Sequence, residues 1–235
     1  MKGVQISGTA LLFLVVGGSV TAHAQGNQGK TLPRATPVPA AVQRQRVQQQ
    51  QQRTTQYKQR LPQQVRAVQQ QIAQLQQQKR MAQYRVQQQY ATQLQQQQQR
   101  LQTARDYSKD PYISSPQTYR YRVSGAARQT NQYGAEVLQQ AVNYGYQQGV
   151  RSGQADKQDR WASNYQNSTA YRDANYGYTG NYIDQADYNY YFRQGFQRGY
   201  GDGYNGRSQY GTSSNGTYSI LGAVLSSILG LQSIN

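Results

Sequence analysis

The chain has 235 residues, 25 Lys and Arg against 9 Asp and Glu, a formal net charge of +16, one histidine and no cysteine. Leu, Ile, Val and Phe number only 38, about 16% of the chain, so little apolar area is at hand to offset chain entropy. Cysteine chemistry and disulfide frameworks are excluded, and a large single-core enzyme domain is disfavoured.

The chain opens with Met1-Lys2, an apolar run over 10–16 and the small residues of Ala22-His23-Ala24. Residues 1–24 therefore read as a signal peptide cleaved before Gln25, since the apolar run falls far short of the ~20 residues that span a bilayer. No cysteine follows to carry a lipid anchor. Cleavage removes His23, the only histidine, and with it imidazole bases, Ser-His-Asp and Cys-His sites and His- or Cys-based zinc sites. The expected location is the periplasm, cell envelope or extracellular space.

Composition changes sharply near Asp106. Residues 25–105 hold 13 bases and no acid, whereas residues 106–235 hold 11 bases and all 9 acids. Pro33, Pro37 and Pro39 mark residues 25–60 as an extended, disordered Pro/Gln-rich linker. Of the 60 residues from Gln43 to Gln102, 29 are glutamine. Within them Leu61, Val65, Val68, Ile72 and Leu75 step by 4, 3, 4 and 3, an a/d seam. The seam weakens at Lys79 and resumes at Ala82, Val86, Tyr90, Leu94 and Leu101 with a stutter.

Pro62 suits a first helical position, and the run from Asp106 to Pro111 supplies a stop. Residues 61–106 are thus read as one basic Gln-rich helix, from about Gln63 to Arg105 and roughly 65 Å long at ~1.5 Å per residue. It would stand alone in solvent or pair with a second copy as a coiled coil. All its charges are cationic, so Arg66, Lys79, Arg80, Arg85 and Arg100 are candidate contacts for a polyanion: envelope polysaccharide, lipid head groups or extracellular nucleic acid. No specific nucleic-acid module is recognisable.

After a linker at 107–129, residues 130–210 are rich in Tyr and Gly and internally duplicated. Tyr144–Gly153 matches Tyr190–Gly199 at an offset of 46, with [Phe/Tyr]-x-x-Gly steps continuing to Gly203. A four-residue step gives a slowly drifting helical stripe. Gly149 and Gly153 on one helix and Gly195, Gly199 and Gly203 on the other would present bare faces, flanked by Phe192, Phe196 and Tyr200. The expected unit is an antiparallel helical hairpin, about Asn131 to Lys157 against about Gln185 to Tyr204. Glu136 lies in the first turns of one helix, and Asp184 with Asp187 forms a capping arrangement for the other. Nineteen of the 22 tyrosines lie between Tyr107 and Tyr218, and exposed rings among them could stack on sugars or bases.

The run Tyr191–Tyr204, with Ala170–Tyr178 before it, resembles a group of uncharacterised exported bacterial proteins that carry Tyr-x-x-Gly-[Phe/Tyr]-x-x-Gly-Tyr repeats after a signal peptide. The resemblance spans roughly Ala141 to Gly206. It implies an envelope or secreted protein and no established activity.

The pairs Asp156/Asp159 and Asp184/Asp187 could each face one way on a helix, which leaves a carboxylate-dependent hydrolase as a remote alternative. Residues 201–206 are a poor calcium loop, without alternating ligands or a closing Glu. After a linker at 211–217, residues 218–235 read as an uncharged apolar helix that docks on the hairpin, associates with its copies or attaches to a membrane interface. The expectation is a mainly α, non-enzymatic, cofactor-free exported protein of the bacterial envelope, structural or interacting. The alternative is a binding module for anionic or carbohydrate polymer.

Overall fold

The computed structural model describes residues 38–103 and 105–234. The expected signal peptide and residues 25–37 of the expected linker lie outside them. The protein is mainly helical.

Helix α1 (Ala40–Gln77) starts well inside the expected linker. Its Gln, Arg and Ala residues are good helix formers, and Gln50, Thr54, Tyr57, Leu61, Val65, Val68 and Leu75 bury one continuous stripe. The first turns of that stripe are polar, so hydrophobic periodicity alone misses them. Pro62 sits inside α1, not at its start. It withholds one N–H, while the neighbouring Leu61 is fully buried.

The single long helix expected over 61–106 is broken at Lys79. Lys79 adopts a left-handed φ of 57°, with its N–H on the Gln76 carbonyl and the Arg80 N–H on the Leu75 carbonyl, at 3.1 and 3.0 Å. This is a Schellman stop, normally built on glycine. Helix α2 (Met81–Gln102) then runs back along α1, bringing Gln97 to the Tyr57 hydroxyl. The heptad seam is therefore buried within one chain, with Tyr57, Leu61, Val68, Tyr90 and Leu94 fully enclosed, and it offers no coiled-coil surface to a second copy. Lys79→Gly should relieve the left-handed strain and raise stability by about 1 kcal/mol; a lowered denaturation midpoint would contradict this account of the turn.

The expected linker 107–129 contains a 3-10 turn (Tyr107–Lys109) and a hairpin of β1 (Tyr119–Val123) and β2 (Ala126–Thr130). Ser124 and Gly125 at its tip both have positive φ, 49° and 86°, the geometry of a two-residue type I′ turn.

Helix α3 (Gln132–Gln158) is capped by the Asn131 side chain, which accepts from the Gly134 N–H at 2.9 Å. Helix α5 (Gln185–Asn205) ends at Gly206 with φ 69°. Asp184 occupies the position before α5 but makes no capping hydrogen bond; it pairs with Arg53 and Arg128 instead. A long crossover containing a 3-10 turn (Tyr165–Asn167) and the short helix α4 (Thr169–Asp173) joins α3 to α5.

That crossover makes α3 and α5 parallel, correcting the antiparallel hairpin. A Cβ on Gly145, Gly149 or Gly153 would run into backbone at Phe192, Phe196 or Tyr200 in turn. Reciprocally, Gly195, Gly199 and Gly203 face the backbones of Val142, Tyr146 and Val150. Residue numbers rise together on both helices, so the pair is parallel and locally two-fold. The structural equivalence is Gly145 with Gly195, an offset of 50 where the sequence match gave 46. A motif repeating every four residues matches itself equally well one step away.

The chain ends in a hairpin of β3 (Gly211–Ser214) and β4 (Thr217–Ile220), helix α6 (Gly222–Leu229) and a two-residue strand β5 (Gln232–Ser233). Asn215 and Gly216, at φ 49° and 74°, form its type I′ turn. The expected continuous helix over 218–235 is thus divided. Its helical part has eight residues and docks through Leu229. Strand β5 pairs antiparallel with β1, Tyr119 opposite Ser233, in a sheet of order β2-β1-β5. Among the described residues no helix is long and apolar enough to cross a membrane.

Candidate polyanion-binding face

Tyrosine builds the core that apolar residues are too few to fill. Nine tyrosines are buried: Tyr57, Tyr90, Tyr107, Tyr121, Tyr146, Tyr178, Tyr188, Tyr191 and Tyr200. Along α5 the rings of Phe192, Phe196, Tyr200 and Tyr204 stack successively at 6.0–6.4 Å. Such rings bury large area, yet each phenol needs a polar partner. The expected exposed platform for sugars or bases is largely spent on packing; Tyr112 remains 40% exposed.

Aspartates supply many of those partners. Tyr200 donates to Asp156 at 2.6 Å, Tyr90 to Asp173 at 2.6 Å, Tyr121 to Asp187 at 2.7 Å, Tyr146 to Asp202 at 2.8 Å and Tyr182 to Asp110 at 2.9 Å. Burial pushes the carboxyls of Asp156, Asp173 and Asp187 above the usual range, opposed by these hydroxyls and by arginines. Asp202 also receives the Gln209 and Tyr210 N–H groups, so the segment 201–206 is the end of α5 and its cap. Among the described residues no group of three or more His, Cys, Asp or Glu is placed to hold a metal ion.

The carboxylate pair Asp156/Asp159 forms a clasp between the two parts of the chain. The turn after α1 lies against the end of α3, where Asp159 accepts the N–H groups of Ala82 and Gln83, both at 2.9 Å, and so caps α2 from another helix. Arg80 bonds to Asp156, and its guanidinium stacks 4.2 Å above the Trp161 ring. Arg80 is only 7% exposed, which removes it from the candidate polyanion contacts. Asp187 sits with Tyr121 and Arg128. Both acid pairs are thus held in place by structural partners.

The other four predicted cations, Arg66, Lys79, Arg85 and Arg100, are exposed and make no ion pair among the described residues. Arg85 and Arg100 lie on one stripe of α2 with Gln89, Thr92 and Gln96 between them, at steps of 4, 3, 4 and 4. Arg85 also lines a groove of about 580 Å³ between α2 and α3, with Arg151 on the opposite wall and glutamines and Thr92 elsewhere. No acid lines it. The sequence reading missed Arg151, which lies in the charge-balanced half of the chain, and the fold brings it across to the basic half. The geometry can hold anionic groups through guanidinium and amide donors; it assembles no nucleophile and base.

Helix-packing residues Gly149, Gly153, Gly195, Gly199 and Gly203 lie at the α3–α5 interface, with Phe192, Phe196 and Tyr200 buried beside them. They position the scaffold and line no groove described above. A scan against protein-family models finds no match, and neither do searches of curated proteins and of solved structures.

Proposed function

We propose that this chain is a non-enzymatic, exported interaction protein of a bacterial envelope, and that its α1–α2 surface holds an anionic polymer. One observation carries the reading: four of the nine acids are buried, while six bases of α1, α2 and the turn between them stay exposed. Asp110, Asp156, Asp187 and Asp202 are buried, whereas Arg44, Arg60, Arg66, Lys79, Arg85 and Arg100 are exposed. The folded surface is therefore more cationic than the composition alone implies, and such a field draws polyanions. Export rests on residues 1–24 and on the resemblance of the Tyr/Gly repeats.

Retention of the mature protein on heparin and on DNA columns tests this. Binding is expected at low salt and should weaken steeply between about 50 and 200 mM NaCl as counterions are displaced. Replacing Arg66, Arg85, Arg100 and Arg151 together by Gln should lower the elution salt on both columns. Passage of the unmodified protein through both at low salt would leave only the structural reading. Cell fractionation tests export separately, and a cytoplasmic pool alone would overturn it.

A further inference from the structure

A second groove, of about 690 Å³, lies between α1 and the corner formed by α4 and α5. Its α1 wall runs from Arg60 to Gln74, about 21 Å at 1.5 Å per residue. Gln64 and Gln71 stand on that wall, Thr169 and Arg172 face them from α4, and Asp173 lies beneath. No aromatic ring is among the residues that line it.

The hydrogen-bonding state of these groups limits what fits. Gln64 Oε1 and Thr169 Oγ1 are buried without a partner, and Thr169 is only 6% exposed. An orphaned amide oxygen accepts only, so its partner must donate; a buried polar atom left unpaired carries a real cost. Both arginines of the groove already have amide partners: Arg172 donates to Gln71 Oε1 at 2.7 Å and Arg60 to Gln185 Oε1 at 3.3 Å, while Gln71 Nε2 donates to the Asn167 carbonyl at 3.1 Å. Asp173 accepts from Tyr90 and Asn175, one on each carboxyl oxygen. A bare anion would bring no donor and would face Asp173. A hydroxyl both donates and accepts, and matches amide, hydroxyl and carboxyl neighbours alike.

We infer that the α1–α4–α5 groove is a binding site for a neutral, hydroxyl-rich oligosaccharide. The site is separate from the α2–α3 groove and does not rest on polyanion binding. With no stacking ring, affinity comes from hydrogen bonds and accumulates along a chain of several sugars.

The test is saturation-transfer NMR with the mature protein, using cellohexaose, maltohexaose, chitohexaose and hexagalacturonate as probes. About 0.5 M NaCl suppresses surface electrostatics, so a failure of the polymer-binding face leaves this experiment unaffected. At least one neutral probe should bind saturably. Thr169→Val combined with Gln64→Leu should weaken it about fivefold or more, the loss of one or two hydrogen bonds. Both changes remove orphaned polar atoms, so the fold should persist by circular dichroism; Gln71→Ala at the rim provides a second variant if it does not. Absence of saturable binding by all three neutral probes, tighter binding of hexagalacturonate, or full affinity in folded variants would each overturn the assignment.

Discussion

Gly149→Ala and Gly199→Ala should each lower the unfolding free energy by more than about 3 kcal/mol, near the upper end for single substitutions. Alanine is the better helix former by about 1 kcal/mol, so local propensity predicts the opposite sign. Packing decides. The added methyl at 149 would overlap the Phe196 carbonyl, and the one at 199 the Tyr146 carbonyl. Backbone cannot rotate aside as a side chain can, so α3 and α5 must separate and release the packed rings around them. Gly201 provides the control: it lies on the same α5, and a methyl there would meet nothing within 4 Å. Gly201→Ala should therefore gain up to about 1 kcal/mol. Denaturant midpoints for the three variants decide the matter, and equal stability of Gly149→Ala and the parent would remove the close-packing account.

Raising the pH should unfold the protein cooperatively before its buried tyrosines ionise. Burial pushes Tyr57, Tyr90 and Tyr188 well above the ordinary phenol range and Tyr178 upward as well. Tyr191 is pushed up to about 12. A group whose pKa is raised by folding supports the fold fully below its unfolded pKa, about 10 for tyrosine, and loses that support as the pH climbs. Each phenol kept protonated by the fold costs the native state about 2 kcal/mol at pH 11.5 relative to the unfolded chain. Four such groups approach the whole stability of an ordinary domain, about 5–15 kcal/mol. The phenolate absorbance of the buried rings and far-ultraviolet circular dichroism should therefore change together in one step above about pH 11. Smooth ionisation near pH 10 with unchanged helicity would contradict the buried-tyrosine core. The carboxyls act with the same sign at the other end of the scale. Asp156, Asp173 and Asp187 have raised pKa values, so their contribution grows as the pH falls from neutrality.

The mainly helical class and the close-packed glycine faces were legible because each depends on a local period. Four-residue steps of glycine and aromatic residues define a helix face whatever lies across it. The direction of the partner is not local. Parallel and antiparallel packing satisfy the same glycines, and only the crossover from Asp159 to Asp184 decides between them. The break at Lys79 left a trace as a weak point in the heptad seam, but no glycine marked it. The two β-hairpins had readable tips in Ser124-Gly125 and Asn215-Gly216; low apolar content in their strands concealed them. Buried glutamines were illegible for another reason. Gln97 holds the Tyr178 carbonyl at 2.7 Å and the Gly177 N–H at 2.8 Å, and Gln50 holds the Tyr182 N–H at 2.9 Å. Nothing in a tract of 29 glutamines distinguishes the two that clip this loop from those in solvent.

The evenly spaced glycines of α3 and α5 form a ladder whose rungs are interchangeable. Sliding one helix along the other by a single turn would still set glycine against backbone at most rungs, so close packing holds the pair together without specifying its seat. The unrepeated groups choose the seat. Tyr146 reaches Asp202, and Tyr200 reaches Asp156; a displacement of one turn breaks both hydroxyl–carboxylate pairs. Arg80, bonded to Asp156, ties the glutamine-rich hairpin to the same choice. Asp156 and Asp202 thus act as detents, selecting one position from a series that the glycines leave nearly equal.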